Sequence, residues 1–161
     1  MIRTAAVNTQ AIYRCDIWVS VDGLLAMIAG LCEWNGLVSG WDNSPRWDSG
    51  PVDAVDLNAW LCLDQQTLAQ MATLLGNPQA EIDSWWRQAN HTAALMQRLL
   101  YDESSGLFLD WNSKTNKSVH VVTPATFFAL LPGVATHAQA LRSNFTRNLH
   151  LIVIDAGTAF R

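Results

Sequence analysis

Two long amphipathic segments in the middle of the chain constrain its fold more than any other feature. Apolar residues recur at three- and four-residue steps over residues 55–75, and the same spacing returns over residues 79–100. Gly76-Asn77-Pro78 lies between the segments, and such a Gly and Pro pair is typical of a helix end. The sequence therefore predicts two antiparallel helices joined by a short turn, with Trp85 and Trp86 in the core.

The pattern changes after residue 100. Residues 107–111 and 119–122 are rich in extended-chain formers and are separated by a turn-rich stretch, which predicts a short β-hairpin near 107–122. A third helical segment is expected at 123–131, with Pro124 in its first turn, and a fourth at 135–145. The mostly apolar residues 18–31 predict a buried helix before all of these.

The stretch 39–48 reads Ser-Gly-Trp-Asp-Asn-Ser-Pro-Arg-Trp-Asp and is poor material for a regular helix. Pro45 disfavours helical geometry at Ser44 and donates no N–H. We expect a rigid loop presenting Asp42 between the indoles of Trp41 and Trp47. This suits a sugar, because indoles stack on the apolar faces of the ring while carboxylates and amides bind its hydroxyls. The same residues also suit ordinary turn and core roles.

Composition excludes several classes of function. Half of the residues are hydrophobic and 15% are charged, which is typical of a globular domain, and a net charge of -4 without a Lys/Arg run argues against nucleic acid. The three cysteines, Cys15, Cys32 and Cys62, lack metal spacing and predict free thiols in a reducing, cytoplasmic compartment. No zinc pattern joins the histidines, so neither metal nor organic cofactor is expected. The N-terminal apolar run is too interrupted for a membrane span, so no membrane partner is expected.

Residues 39–48 resemble the corresponding stretch of glycoside hydrolase family 63 and its bacterial relatives, which include mannosylglycerate and glucosylglycerate hydrolases. Trehalases carry a related version. Asp-x-x-x-Gly-Leu-Phe-x-Asp-Trp at 102–111 and Thr-Pro-Ala-Thr-Phe at 123–127 also resemble this group, so the likeness covers about residues 33–142. It implies a mainly α fold, a partial (α/α)6 barrel of the six-hairpin glycosidase kind, with the short β-hairpin near 107–122.

A complete six-hairpin barrel needs roughly 350 residues, so this chain has material for about two hairpins and part of a third. The predicted organisation is a poorly matched N-terminal segment at 1–32, a partial barrel domain at 33–149 and an unmatched tail at 150–161. Apolar helix faces at the open edges of such a barrel predict self-association.

The resemblance implies that Asp42 is the general acid of glycoside cleavage, the role of the Asp of Gly-Trp-Asp in the family. Val38 stands where the family usually has Glu. The residues implied to contact the sugar are Trp41, Asn43, Arg46, Trp47, Asp48, Asp56, Asn58, Asp110 and Trp111. Asp53 or Asp56 is also expected to open the first long helix, either as its N-cap or within its first turn, and this capping role is an equal alternative for Asp56 and Asn58. Hairpin hydrogen bonding is the alternative for Asp110, and covering of a helix end the alternative for Trp111.

Cleavage with inversion needs two carboxyl groups, held about 6.5–9.5 Å apart so that a water fits between them. Asp42 is the candidate acid, in a Trp-lined pocket that would raise its pKa. The family's base follows a later Tyr-Trp-Arg-Gly-like sequence that this chain lacks. The local carboxyl groups of Asp48, Asp56, Glu103 and Asp110 do not match that base.

The sequence therefore predicts a fragment of an inverting α-glycosidase that is inactive as an isolated chain. Its substrate class would be an α-glucoside or α-mannoside, such as mannosylglycerate, glucosylglycerate or an oligosaccharide. Two alternatives stay open. One is a non-catalytic carbohydrate-binding remnant, and the other is a helical interaction module in which the tryptophans are core.

Overall fold

The computed structural model describes residues 31–34 and 43–143. The helix expected at 18–31 and the end of the fourth helical segment, after residue 143, lie outside the described residues. The elements in chain order are β1 (Glu33–Trp34), a 3-10 turn (Pro45–Trp47), β2 (Val52–Asp53), α1 (Val55–Leu74), α2 (Gln79–Leu99), β3 (Tyr101–Asp102), β4 (Leu107–Phe108), β5 (Asp110–Asn112), β6 (Lys117–Val119), a 3-10 helix (Pro124–Leu130) and α3 (His137–Arg142).

α1 and α2 form the predicted helical hairpin, and Gly76 closes the end of α1. Its φ of 69° allows a Schellman turn. The Gly76 N–H donates to the Thr73 carbonyl at 3.2 Å, and the Asn77 N–H donates to the Ala72 carbonyl at 3.0 Å. These two bonds satisfy carbonyls that the helix end would otherwise leave free, so the chain reverses within four residues.

The face of α1 that packs on α2 is not the side of its large apolar residues. Trp60 is 45% exposed, Met71 51% and Leu74 87%. The buried positions are instead small or polar, and they are Val55, Asp56, Asn58, Ala59, Cys62, Gln65, Ala69 and Ala72. Small side chains let the two helices approach closely, and the Thr92 hydroxyl of α2 donates to the Gln65 side-chain oxygen at 3.0 Å. The prediction that Trp86 is core is wrong, because 38% of its surface is exposed.

A four-stranded antiparallel sheet packs beside the hairpin, in the order β1-β2-β5-β6. β5 and β6 form the expected β-hairpin, with Asp110 opposite Val119 and Trp111 opposite Ser118. A second, two-stranded sheet pairs β3 with β4. There the Tyr101 and Phe108 rings lie 5.1 Å apart, which ties the strand after α2 to the core.

The two later helical segments occur where the sequence predicts them. The first is a 3-10 helix with proline in its first turn and a capping box between Thr123 and Thr126. Its Phe128 ring meets Trp60 edge-on, with centroids 5.6 Å apart. The second, α3, is capped by Thr136, whose hydroxyl accepts from the Gln139 N–H. The 3-10 helix therefore packs on α1, and the hydrogen bond between the Gln97 and Gln139 side chains ties α3 to α2.

Cys32 is disulfide-bonded, whereas Cys62 is free and buried. The disulfide corrects the prediction of three free thiols. Since disulfides are typical of oxidising compartments, it also removes the support that free thiols gave to a reducing one. Among residues 31–34 and 43–143, the structure contains no helix with the length and apolarity needed to cross a membrane.

Candidate functional site

Arg46 is fully buried and holds two carboxylates at once. Its Nη1 and Nη2 donate to the two oxygens of Asp56, each at 2.9 Å. Its Nε and Nη2 donate to the two oxygens of Asp110, each at 2.7 Å. Two fork-shaped pairs of charge-assisted bonds thus fix one guanidinium, and we call these three residues the Arg46 network.

The Arg46 network joins three elements that are distant in sequence. The 3-10 turn carries Arg46, the first turn of α1 carries Asp56, and β5 carries Asp110. Asp110 also accepts the Val55 N–H at 2.9 Å, so the sheet caps the start of α1. The Arg46 guanidinium carbon lies 4.7 Å from the centre of the Trp47 ring, a cation–π contact that fixes the second indole of the loop.

Burial sets the electrostatics of the network. Burial by itself would lower the pKa of Arg46, but the hydrogen bonds and charges of Asp110 and Asp56 outweigh it, and the pKa rises. Burial also raises the pKa of Asp110, and Arg46 opposes that rise. The guanidinium therefore stays charged at any ordinary pH and holds the loop to the sheet.

Asn58, in the first turns of α1, bonds the backbone of the residue that precedes β1. Its amide nitrogen donates to the Cys32 carbonyl at 2.9 Å and to the Ala54 carbonyl at 2.8 Å. Its side-chain oxygen accepts the Cys32 N–H at 2.7 Å. Neither Asp53 nor Asp56 is the N-cap of α1; that position is Ala54, and Asp56 lies in the first turn. Asn58 thus fixes the chain beside β1 rather than capping the helix.

The other predicted site residues lie at different depths. Trp41 and Asp42 are outside the described residues, so the structure gives no geometry for the expected acid. Asn43 and Asp48 are exposed, and Trp47 is half-buried. Trp111 is also half-buried, and it packs beside the main core on the sheet.

Two carboxyl residues that sequence reasoning did not place in the site are Glu33 and Asp53. They lie opposite each other on β1 and β2. Asp53 is 8% exposed, and burial, then the charges of Glu33 and Asp110, raises its pKa to about 6. The only signal in the sequence is an acidic residue inside the short apolar run before α1, which also fits a helix cap.

The local carboxyl groups considered as replacements for the base are engaged or exposed. Asp56 and Asp110 belong to the Arg46 network. Glu103 is exposed and pairs with Arg142 at 3.1 Å, and Asp48 is exposed in the loop. No group of three acidic, His or Cys residues suited to a metal ion occurs within the described ranges.

The profile of the trehalase family matches residues 39–157. A periplasmic trehalase from Salmonella newport (strain SL254) is 29% identical over 124 residues, a stretch that covers 71% of this chain and 22% of that protein. A second periplasmic trehalase, from Salmonella schwarzengrund (strain CVM19633), is 28% identical over the same length. The chain therefore spans 22% of the length of these curated relatives.

Solved structures give the same fold. A family 63 mannosylglycerate hydrolase from Thermus thermophilus, in complex with glucose, superposes with a TM-score of 0.62 at 22% identity, covering 71% of this chain and 37% of that one. A neutral trehalase from Saccharomyces cerevisiae gives 0.59 at 24% identity, covering 65% and 21%. The helical hairpin with its small antiparallel sheet is thus part of an (α/α)6 barrel fold, and the chain belongs to the trehalase family of six-hairpin glycosidases.

Proposed function

We propose that this chain is the acid-bearing part of an inverting glycoside hydrolase that acts on an α-glucoside or α-mannoside. The observation that carries the proposal is the family match over residues 39–157, which begins at the loop containing Asp42. Mannosylglycerate, glucosylglycerate and oligosaccharides are the substrates to test. In this proposal Asp42 protonates the glycosidic oxygen, and a second carboxylate activates the attacking water.

The Arg46 network supports this role for the loop. The guanidinium binds Asp56 and Asp110 and stacks on Trp47, so the segment that follows Asp42 is held rigidly against α1 and β5. A general acid must be fixed near the leaving oxygen, since a small displacement lowers the rate strongly. The proposed duty of Arg46, Asp56 and Asp110 is therefore to position the loop, while Trp41, Asn43, Trp47, Asp48 and Trp111 supply contacts to the sugar.

The second carboxylate is proposed to come from outside the local candidates. Asp56 and Asp110 are both hydrogen-bonded to Arg46, and Asp48 and Glu103 are exposed. None of the four combines burial with a free carboxylate. The isolated chain is accordingly expected to bind sugar and to turn it over very slowly or not at all.

Sugar binding and turnover should be measured together on the wild type, Asp42→Asn and Asp83→Asn. Asp83 is an exposed residue of α2 and serves as the matched control. Calorimetry with trehalose and mannosylglycerate should show binding to all three proteins. Any release of free sugar should disappear only in Asp42→Asn, and NMR of the anomeric product should show inversion.

Two other outcomes would each support one of the alternative functions. Binding without turnover in all three proteins would support a non-catalytic carbohydrate-binding role. A wild type that binds neither sugar would contradict the proposal and favour a helical interaction module.

A further inference from the structure

The side of α1 that faces away from α2 is composed like a buried surface. Five large apolar side chains are exposed along it, with exposed fractions that run from 39% at Leu68 to 87% at Leu74. Their spacing keeps them within about one third of the helix circumference, so they form one continuous surface. We call this surface the α1 stripe, and its residues are Trp60, Leu68, Met71, Leu74 and Leu75.

The two long helices differ in what they present to solvent. The charged residues of α1 are Asp56, which is buried, and Asp64, which is exposed. A helix that is apolar on all sides is typical of a position that is packed on all sides. The exposed positions of α2, by contrast, include Glu81, Asp83, Arg87 and Arg98. The composition of α1 therefore indicates that a further partner covers the α1 stripe.

The α1 stripe is large enough for a specific interface. At about 150–250 Å² for a large side chain, the exposed fractions leave roughly 600 Å² of apolar surface on one chain. The largest apolar patch of a monomeric protein is usually about 300–600 Å². Two such stripes in contact would bury on the order of 1,200 Å², which is the lower end of the range for specific protein–protein interfaces.

Trp60 is already fixed at one end of the α1 stripe. Phe128 meets its ring edge-on, with centroids 5.6 Å apart and an interplanar angle of 63°. A side chain that is ordered before association loses little conformational entropy when a partner covers it. Tryptophan is also enriched among the residues that dominate interface energies, so Trp60 is suited to anchor a partner.

Charge and shape select the occupant. Lys and Arg do not occur over residues 55–78, whereas surfaces that bind anionic membranes or nucleic acid are bordered by basic residues. The α1 stripe instead fits an uncharged apolar helix face of its own length, and a second copy of this chain supplies one. Large apolar side chains lie at both ends, so two copies can pair antiparallel about a two-fold axis, with Trp60 of each covering the Met71 end of the other.

We propose that the α1 stripe is the interface of a homodimer formed by the α1 helices of two copies of this chain. Asp64 lies between Trp60 and Leu68 in the middle of the helix, so the dimer brings two like charges close to its axis. Their repulsion weakens the dimer and distinguishes it from a complex with a cationic partner. This interaction surface does not depend on sugar binding or turnover.

Sedimentation equilibrium of the whole chain over a range of protein concentrations tests the dimer. The mass should rise with concentration from 17.8 kDa towards twice that value. Met71→Glu puts a carboxylate in the α1 stripe and should raise the Kd of the dimer about tenfold or more. Ala94→Glu adds the same charge at an exposed apolar position of α2, and should leave the Kd within about twofold of the wild type. Matching circular dichroism spectra would show that both variants are folded.

Asp64 tests which occupant covers the stripe. Asp64→Asn removes the repulsion between the two copies and should lower the Kd about threefold. Added salt should strengthen wild-type association in the same direction, because it screens the two carboxylates. A cationic partner would give the reverse result in both experiments.

Three outcomes would overturn the proposal. A wild type that stays at 17.8 kDa at every concentration does not dimerise, and its co-sedimentation with phosphatidylglycerol vesicles would make a membrane the occupant. A dimer that Met71→Glu and Ala94→Glu weaken equally would have its interface elsewhere. A dimer that Asp64→Asn weakens would have a cation opposite Asp64 rather than the α1 stripe of a second copy.

Discussion

The two faces of the four-stranded sheet differ in the environment that they give to a buried carboxyl group. On one face Asp110 is bound to Arg46 at 2.7 Å and to the Val55 N–H at 2.9 Å. On the other face Asp53 is 8% exposed, and burial together with the charges of Glu33 and Asp110 raises its pKa. The first face is a completed structural network, whereas the second keeps a polar group at a cost to stability.

This contrast separates carboxyl groups that stabilise the fold from a carboxyl group that destabilises it when ionised. A buried charge with its full set of partners is costly to disturb, because removing one partner leaves the other uncompensated. A carboxyl whose ionised form is disfavoured by burial and by like charges behaves in the reverse way, since removing its charge stabilises the fold. Mutations on the two faces should therefore change stability in opposite directions.

The largest expected effect comes from breaking the satisfied face. Arg46→Met leaves Asp56 and Asp110 buried without a counter-charge, and should lower the free energy of unfolding by about 3–5 kcal/mol. Urea unfolding followed by circular dichroism measures it. Arg98→Met, on the exposed side of α2, is the control and should change stability by less than about 0.5 kcal/mol. Equal costs for the two variants would contradict the structural role of Arg46.

Asn112 is a buried, uncharged residue on the same face of the sheet as Asp110. Its amide nitrogen donates to the Ser49 carbonyl at 2.9 Å, and its oxygen accepts the N–H groups of Lys114 and Thr115, each at 3.0 Å. Asn112→Ala should lower the free energy of unfolding by about 2 kcal/mol, since a side chain that is 1% exposed loses three hydrogen bonds. Asn90→Ala, exposed on α2, should be neutral within about 0.5 kcal/mol. An Asn112→Ala variant as stable as the wild type would mean that the hydrogen bonds on this face do not stabilise the fold.

Asp53→Asn should have the opposite sign and a distinctive pH dependence. The pKa of Asp53 is raised from 3.8 to about 6 by burial and by Glu33 and Asp110. The folded state therefore keeps a proton that the unfolded state has released, and wild-type stability should fall as pH rises from about 4 to about 6. The pH dependence of urea midpoints would measure this.

At about pH 7 the Asp53→Asn variant should be more stable than the wild type by about 1–2 kcal/mol, with the extra stability fading towards about pH 4. This figure is below the full linkage value, because Asp53 keeps some contact with water. Asp83→Asn should show a constant difference from the wild type over the same pH range. A wild type with flat stability across that range would mean that Asp53 is not buried as a proton-carrying group.

Ser118 should give the smallest effect. It is half-buried on β6, opposite Trp111, so Ser118→Ala should change the free energy of unfolding by less than about 0.5 kcal/mol. Thr126→Ala provides the contrast. It removes a buried residue of a capping box and should cost about 1 kcal/mol by the same urea measurement. A large loss of stability in Ser118→Ala would mean that the Ser118 side chain stabilises the β5–β6 hairpin.

Much of the architecture could be predicted because it depends on local chemistry. Helical periodicity over 55–75 and 79–100 and the Gly76-Asn77-Pro78 turn gave the hairpin with bounds that differ by one residue at the helix ends. Extended runs around a turn gave the β5–β6 hairpin. The face of α1 that packs was less predictable, because it is lined by alanines and buried polar groups while Trp60 and Met71 remain exposed.

The residues of the candidate site could also be predicted only in part. The loop containing Arg46 and Trp47 and the acidic residues Asp56 and Asp110 could be singled out from residue types and from resemblance. Their assembly around one guanidinium could not, since it joins positions 10 and 64 residues apart. Asp53, whose pKa is raised to about 6, was not singled out, because an acidic residue before a helix also fits a cap.

The sequence by itself determined the family, the helical hairpin, the short β-hairpin and the loop expected to carry the acid, since periodicity, turn residues and a ten-residue motif are local properties. Only the tertiary structure decided which carboxyl groups pair with Arg46 and which do not. Strand register puts Asp110 and Asp53 on opposite faces of one sheet, and a shift of one residue would exchange those faces. Charge pairing and burial depend on such contacts between distant segments, and no local pattern records them.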